Sequence, residues 1–393
     1  MSRLTVGSIE GLTENSNVIS VPTGHSLNVV DGIQVAGEYM TPYAGRRNLV
    51  YNGAMQVAQR GTSTSSIAVA PGNYYTADRW LTRNNPQIGV WTQSIESDAP
   101  SGSGFVKSLK MLCTTAESSP SATDLLALQQ RIEGQDLQHV KKGTSNAESL
   151  TVTFWVKSNV TGTFIASIED PNTPRYYSKS YTISVADTWE KKTIVFPPDT
   201  TGAVPNNTSP GLNLWLMLAA GGDYTSGSPN TAWAGFVAGD FAAGQTNLAS
   251  AVNNYIQITG VQLEVGDKAT PFEHRSYGEE LALCQRYYQR ITAGGVYGRV
   301  AIGQAYTTGA VMAMMPLRVS LRTVPTAIDA ASLLIVDGAS GGFVIYVISL
   351  DTAGSNEDVV AVIATTAGLT TYRPYQIGGY NNANGYLGVS AEL

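Results

Sequence analysis

Apolar residues in this 393-residue chain recur with period two, in short runs cut by turn-forming residues, and that pattern confines the fold to β-structure. Within 150–156, Leu150, Val152, Phe154 and Val156 share one face of an extended strand. Residues 212–218 are apolar on both faces, the pattern of a central strand covered from two sides. Residues 189–196 run into Pro197-Pro198, where a ladder loses its donors. Residues 256–265 alternate until the apolar phase slips by one at Gly260, which predicts a β-bulge. Helix-forming runs are scarce, while 40 glycines and 20 tyrosines suit turns and pleated surfaces. The expected fold class is all-β, with many short strands forming two-sheet sandwiches.

Four segments follow from the punctuation. Residues 1–45 form a short N-terminal β segment: Leu4, Val6, Ile9, Val21, Leu27 and Val29 lie in small apolar groups between turns. Strands this short enclose no core, so they pair with copies of themselves or pack on another domain; a disordered leader is the alternative. Under the first reading those six residues form an oligomer interface. Residues 46–275 form the central sandwich.

A linking helix is expected over 276–292, opened by a capping box of Ser276 and Glu279, with Glu280 early and Arg286 and Arg290 late. Its Tyr277, Leu281, Cys284, Tyr288 and Ile291 step by four and three, a seam of about two heptads. That seam sits on a symmetry axis between subunits, or the helix packs on its own sandwich. Residues 293–393 form a C-terminal β-sandwich, with strands expected at 296–305, 311–321, 332–336, 343–350, 359–365 and 386–391 and a hairpin over 333–349.

A net charge of −6 and no lysine after Lys268 leave no basic stripe for displacing phosphate counterions, so no nucleic-acid partner is expected. No window reaches ~18 consecutive apolar residues, so no membrane insertion is expected. The first residues lack the layout of a secretory signal. Cys113 and Cys284 are expected to be reduced and buried rather than bridged. His25, His139 and His274 have no ligand-spaced partner, which disfavours zinc or nucleophilic chemistry. Glu169, Asp170, Asp223 and Asp240 read as solvated turn residues rather than a glycosidase pair. The chain is expected to be no enzyme.

For binding, rings among polar loops matter, because a sugar's apolar face stacks on a ring while its hydroxyls need donors and acceptors. Residues 372–386 are the densest such stretch, with Tyr372, Arg373, Tyr375, Tyr380, Asn381, Asn382 and Asn384 as first candidates for receptor contact. Tyrosines that cover the sandwich and seal subunit contacts are the alternative. Tyr224 and Trp233, on a long loop, are a second candidate. Trp155 and Trp215 lie inside strands and are assigned to core or interface.

Several runs resemble one family. They are Gln130-Arg131-Ile132-Glu133-Gly134, Phe154-Trp155-Val156-Lys157-Ser158, Asp187-Thr188-Trp189-Glu190, Leu218-Ala219-Ala220-Gly221, residues 258–266 leading into Ala269-Thr270-Pro271-Phe272-Glu273, and residues 280–288 ending Arg286-Tyr287-Tyr288. Together they look like the jelly-roll, carbohydrate-binding-module-like domain of tail fibres and other virion proteins of tailed bacteriophages, cyanophages included. The resemblance implies a non-catalytic, intertwined homotrimer in the virion tail, assembled in the host cytoplasm. It would be held to other tail or baseplate proteins through its N-terminus and would bind host surface polysaccharide. The alternatives are a purely structural connector, collar or baseplate protein, and a polysaccharide depolymerase. No cofactor is expected beyond a structural Ca²⁺ on Asn52, Glu264 or Asp267, by analogy with sugar-binding jelly rolls.

Overall fold

The computed structural model describes residues 46–337, 342–379 and 381–393, with the backbone of Ile33–Val35 (β1) and Glu38–Met40 (β2). β1 and β2 pair antiparallel, Ile33 opposite Met40. Leu4, Val6, Ile9, Val21, Leu27, Val29 and Tyr380 lie outside the described residues.

The central sandwich is built from Ser63–Ile67 (β3), Ala70–Tyr74 (β4), Leu81–Asn85 (β5), Val90–Glu96 (β6), Ser108–Thr115 (β7), Leu125–Glu133 (β8) and Leu150–Ser158 (β9). It continues with Gly162–Asp170 (β10), Arg175–Ile183 (β11), Glu190–Phe196 (β12), Pro210–Ala220 (β13), Ala234–Gly235 (β14) and Tyr255–Val265 (β15). A seven-stranded sheet in the order β14-β11-β10-β13-β8-β5-β4 faces a six-stranded sheet in the order β12-β9-β15-β7-β6-β3. The alternation read in the sequence sets which side chains meet between them. Val152, Phe154 and Val156 of β9 are buried against Leu214 and Leu216 of β13 in one continuous core. Each such burial contributes roughly 1.5–3 kcal/mol.

β13 is covered on both faces, as its apolar pattern requires. Leu212, Leu214, Leu216 and Leu218 point into the main core, while Trp215 and Met217 join a second cluster with Tyr176 and Phe241. That second cluster is roofed by two short helices, Gly222–Thr225 (α1) and Ala238–Phe241 (α2), in the connection between β13 and β15. The expected bulge is present: the β15–β9 register slips between Thr259 and Gln262, and Gly260 sits at φ +62. A Cβ there would lie 2.6 Å from the Phe105 ring. β12 ends at Phe196, before the two prolines.

The helix expected over 276–292 is shorter. Tyr277–Gln285 (α3) opens with the capping box, Ser276 accepting from the Glu279 N–H and the Glu279 carboxylate taking the Ser276 N–H. It stops at Gln285, and Tyr288–Thr292 (β16) is a strand. The heptad seam therefore does not exist. Tyr277 is exposed and Leu281 partly so, whereas Cys284 and Tyr288 are buried inside this chain. Cys113 and Cys284 are both free and buried.

After α3, Arg286, Tyr287 and Tyr288 lock the second unit to the first. Arg286 and the Tyr287 hydroxyl donate to the buried Glu133 carboxylate of β8, Nε–Oε1 at 2.9 Å and Nη2–Oε2 at 3.0 Å. The buried Arg79 guanidinium stacks 3.5 Å over Tyr287 and pairs with Glu392, and Arg60 stacks 3.5 Å over Tyr288 and meets the same carboxylate. Stacked, desolvated guanidinium pairs suit arginine's flat, weakly hydrated head group. The Arg-Tyr-Tyr run thus joins the two units through buried ion pairs and stacked rings.

The C-terminal unit adds Arg299–Thr307 (β17), Ala310–Met315 (β18), Ala327–Ala331 (β19), Leu334–Val336 (β20), Gly342–Val344 (β21), Val347–Asp351 (β22), Val360–Thr365 (β23), Pro374–Gly378 (β24) and Tyr386–Ser390 (β25). A three-stranded sheet, β16-β25-β19, packs on a seven-stranded one, β21-β20-β24-β17-β18-β23-β22, over a core containing Val311, Ile335, Ile377 and Val389. The 333–349 hairpin appears as the β20–β21 pairing, Leu334 opposite Val344. β16, β19 and β24 were not foreseen. β24 runs through the stretch read as a receptor loop.

Candidate functional site

The two sheets of the central sandwich offer opposite outer faces, and one is closed. On the seven-stranded sheet, α1 and α2 roof Tyr176 and Trp215, and Glu169 is committed to the Asn213 amide and the Trp215 indole N–H at 3.1 and 2.8 Å. Tyr224 packs against the same cluster. Trp233 donates to Pro197 O at 2.7 Å and lies tilted against Tyr177, with ring centroids 6.3 Å apart. The second sequence candidate, Tyr224 and Trp233, is therefore a covering segment.

The six-stranded sheet carries partly exposed rings on its outer face. Because Phe154 and Val156 of β9 point inward, Trp155 and Lys157 point outward, and register places Lys191 of β12 and Thr259 of β15 beside Trp155. The next row runs from Lys157 through Gln257 to Lys110. Trp189, one residue before β12, closes that row: the Lys157 ammonium lies 5.8 Å from its ring. Tyr255 sits two residues along β15 from Gln257, with the Lys110 ammonium 4.8 Å from its ring. Trp155, Trp189 and Tyr255 are all partly exposed. At about 4.8 Å per strand, the group spans on the order of 10–15 Å.

Asp98 sits among these rings, on the loop from β6 to β7. Its Oδ2 receives the Lys157 ammonium at 2.5 Å and its Oδ1 the Trp189 indole N–H at 3.2 Å, yet 44% of its side chain remains exposed. Burial opposes its ionisation, but the Lys157 and Trp189 hydrogen bonds outweigh this and hold the carboxyl below the usual carboxylate range. Asp187 accepts from the Tyr255 hydroxyl at 2.5 Å; burial, and then that carboxylate, push the Tyr255 hydroxyl well up. The result is a fixed, ionised acceptor bonded to the Trp189 indole, beside a phenol that stays protonated.

The C-terminal candidates separate. Tyr375 is withdrawn: it is 2% exposed, takes the Thr370 N–H at 3.0 Å and packs edge-on against Phe343, because β24 alternation turns it inward. Tyr372 is 75% exposed, Arg373 pairs with Asp337 at 3.3 Å, and Asn381 and Asn384 are exposed while Asn382 caps a turn for Asn384. These residues form a surface turn, tied to β17 by the Tyr372 N–H donating to Ala305 O at 2.7 Å.

The cation set expected from sequence does not fit. Glu264 is satisfied by Thr270 and Gln262, Asn52 by Val57 and Asp78, and Asp267 is exposed and apart from them in role. Among the described residues no group of three His, Cys, Asp or Glu side chains is placed to hold a metal. Asp170 and Asp199 are also occupied, by Lys142 at 2.6 and 3.1 Å.

Sequence reasoning missed Asp98, Trp189 and Tyr255. One signal was available: Trp155 falls on the polar face of its strand, between Thr153 and Lys157, where a large ring has no core to join.

No family model matches the chain, and no curated protein does. Among solved structures, the enzymatically active domain of a bacteriophage CBA120 tailspike protein is 16% identical with TM-score 0.30 over 56% of this chain, which spans 21% of that one. A xylan-binding domain from Paenibacillus barcinonensis is 11% identical (TM-score 0.26, 53% of this chain and 98% of that one). A family 11 carbohydrate-binding module of a Clostridium thermocellum cellulase is 10% identical (TM-score 0.26, 54% and 100%). TM-scores this low carry no inference about this chain.

Proposed function

We propose that the chain is a non-enzymatic, glycan-binding virion protein, a tail-fibre or receptor-binding subunit, and that Trp155, Trp189, Tyr255 and Asp98 hold the sugar. The observation that carries this is the ionised, half-exposed Asp98 fixed by the Trp189 indole and the Lys157 ammonium. Rings offer faces to the apolar side of a pyranose, and a carboxylate with spare lone pairs accepts its hydroxyls. The tail-fibre assignment comes from the sequence resemblance, as do the homotrimer and attachment to tail or baseplate proteins through residues 1–45. A depolymerase is disfavoured because a general acid must be kept protonated, whereas Asp98 is held ionised and Glu190, nearby on β12, is likewise kept below its usual range: burial is outweighed by Lys192 and two backbone N–H groups. A purely structural connector would leave the rings without a ligand.

The test is a glycan array and host-cell binding assay on the full chain beside Trp155→Ala and Asp98→Ala. Selective binding by wild type, lost in both variants at unchanged melting temperature, supports the proposal. Binding to virion proteins alone leaves the connector. New reducing ends from host capsule would establish the depolymerase.

A further inference from the structure

Where the two units meet, a cleft of about 560 Å³ opens between the edge strand β4 of the central sandwich and β19 and β25 of the C-terminal unit. Its walls include Asn73, Tyr74 and Tyr75 on one side and Asp329 and Ser390 on the other, with Arg60 at the back. Ligand sites favour such junctions and such volumes. The shape is fixed by the Arg-Tyr-Tyr joint, because Tyr288 is at once the ring under Arg60 and the donor to Asp329 at 2.8 Å.

The polar inventory selects a ligand class. Both Asp329 oxygens take the same Tyr288 hydroxyl, at 2.8 and 2.9 Å, so among the described residues a carboxylate with about four acceptor sites has one donor. The Asn73 amide and the Tyr75 and Ser390 hydroxyls make no hydrogen bond to described residues. Arg60 is already matched by Glu392 at 3.3 Å, so the cleft holds no spare cation for an anionic ligand. The other acidic side chain of the lining, Glu392, is committed to Arg60 and Arg79, and among the described residues no group of three His, Cys, Asp or Glu side chains is placed to hold a metal, so the cleft does not suit a divalent ion. Free donors and acceptors beside two tyrosine rings suit an uncharged polyol.

We propose that this cleft is a second binding site, taking one ring of a neutral saccharide, with Asp329 and Asn73 bonding its hydroxyls and Tyr75 against its apolar face. The site is separate from the Trp155 face and needs both units. It gives one chain two sugar contacts, which raises avidity without a further contact at either.

Ligand-observed NMR titrations of the full chain with glucose, galactose, mannose and N-acetylglucosamine test it, in wild type and in a Trp155→Ala/Trp189→Ala background. Saturable binding of at least one sugar should persist in that background and weaken roughly tenfold or more on adding Asn73→Ala or Asp329→Asn. Asparagine at 329 can still accept from Tyr288, and Asn73 is exposed, so neither change threatens the fold. Loss of all binding in the Trp155→Ala/Trp189→Ala background overturns the cleft and leaves the face reading intact. Binding indifferent to Asn73 and Asp329, or no binding by any of the four sugars, overturns the cleft too.

Discussion

Replacing Lys142 by methionine should cost the central sandwich a large part of its stability, and calcium should return some of it. The Lys142 ammonium is 2% exposed and sits among four oxygens: Asp170 Oδ2 at 2.6 Å, Asp199 Oδ2 at 3.1 Å, Gly202 O at 2.8 Å and Thr201 O at 2.9 Å. Asp170 and Asp199 are 0% and 3% exposed, and only Asp199 has a second cationic partner, Arg175 at 2.9 Å. Removing one member of a buried pair typically costs about 3–5 kcal/mol, because the other charge is left desolvated. For a unit of this size that is on the order of 10 °C in melting temperature.

The vacated cage keeps two carboxylates and two carbonyls, the oxygen donors a hard cation accepts, so millimolar Ca²⁺ should raise the melting temperature of Lys142→Met while leaving wild type unchanged. Lys142→Arg should fail to restore stability, since a planar fork does not match four oxygens around a point. Burial opposes ionisation of Asp199, yet Arg175 and Lys142 hold its carboxyl below its unfolded value. That stabilisation is present above the unfolded carboxylate range and is lost as pH falls through the folded one, and the variant should show less of this loss. Thermal melts followed by tryptophan fluorescence read all of it, as Trp233 lies 5.7 Å from the ammonium. A Lys142→Met protein melting within a degree of wild type, with no response to calcium, would refute the reasoning.

Other outcomes follow from the same geometry. Gly260→Ala should destabilise by about 1–3 kcal/mol in denaturant titrations, since it places a side chain at positive φ against the Phe105 ring. Asp78 is pushed up to about 6 by burial, with Arg60 and Gln59 only partly offsetting it, so the folded state binds the extra proton between about pH 4 and 6. Stability should therefore fall as pH rises through that window, and the slope should vanish in Asp78→Asn; an unchanged slope would show that another group is responsible. Glu392→Gln should loosen the joint by weakening the bonds of Arg79 and Arg60, seen as faster proteolysis between the two units with each core still folded. Native mass spectrometry should report three chains; a monomer would remove the homotrimer from the proposal.

The fold was legible wherever one face of a strand is buried, because period-two alternation then has a single solution. β9, β13, the Gly260 bulge and the stop at Pro197 were all readable that way. It failed where helix and strand periods overlap: Tyr277, Leu281, Cys284 and Tyr288 fit a seam, but two tyrosines drawn into a lattice of arginines end the helix at Gln285. β24 was hidden because Pro374, Tyr375 and Gly378 sit in a stretch rich in tyrosine, asparagine and glycine, which reads as loop until Tyr375 is seen filling the core between strands. Asp98 could not be found from sequence, since only folding carries the 97–107 loop to Lys157 and Trp189.

The most direct measurement is a tryptophan-fluorescence titration of the full chain with host surface polysaccharide, repeated for Trp189→Phe and Asp98→Asn. A saturable spectral change in wild type, lost or weakened at least tenfold in Asp98→Asn with an unaltered melting curve, is the expected result. Equal affinity in wild type and Asp98→Asn would show that sugar is held elsewhere, and that the ringed face of the six-stranded sheet serves another purpose.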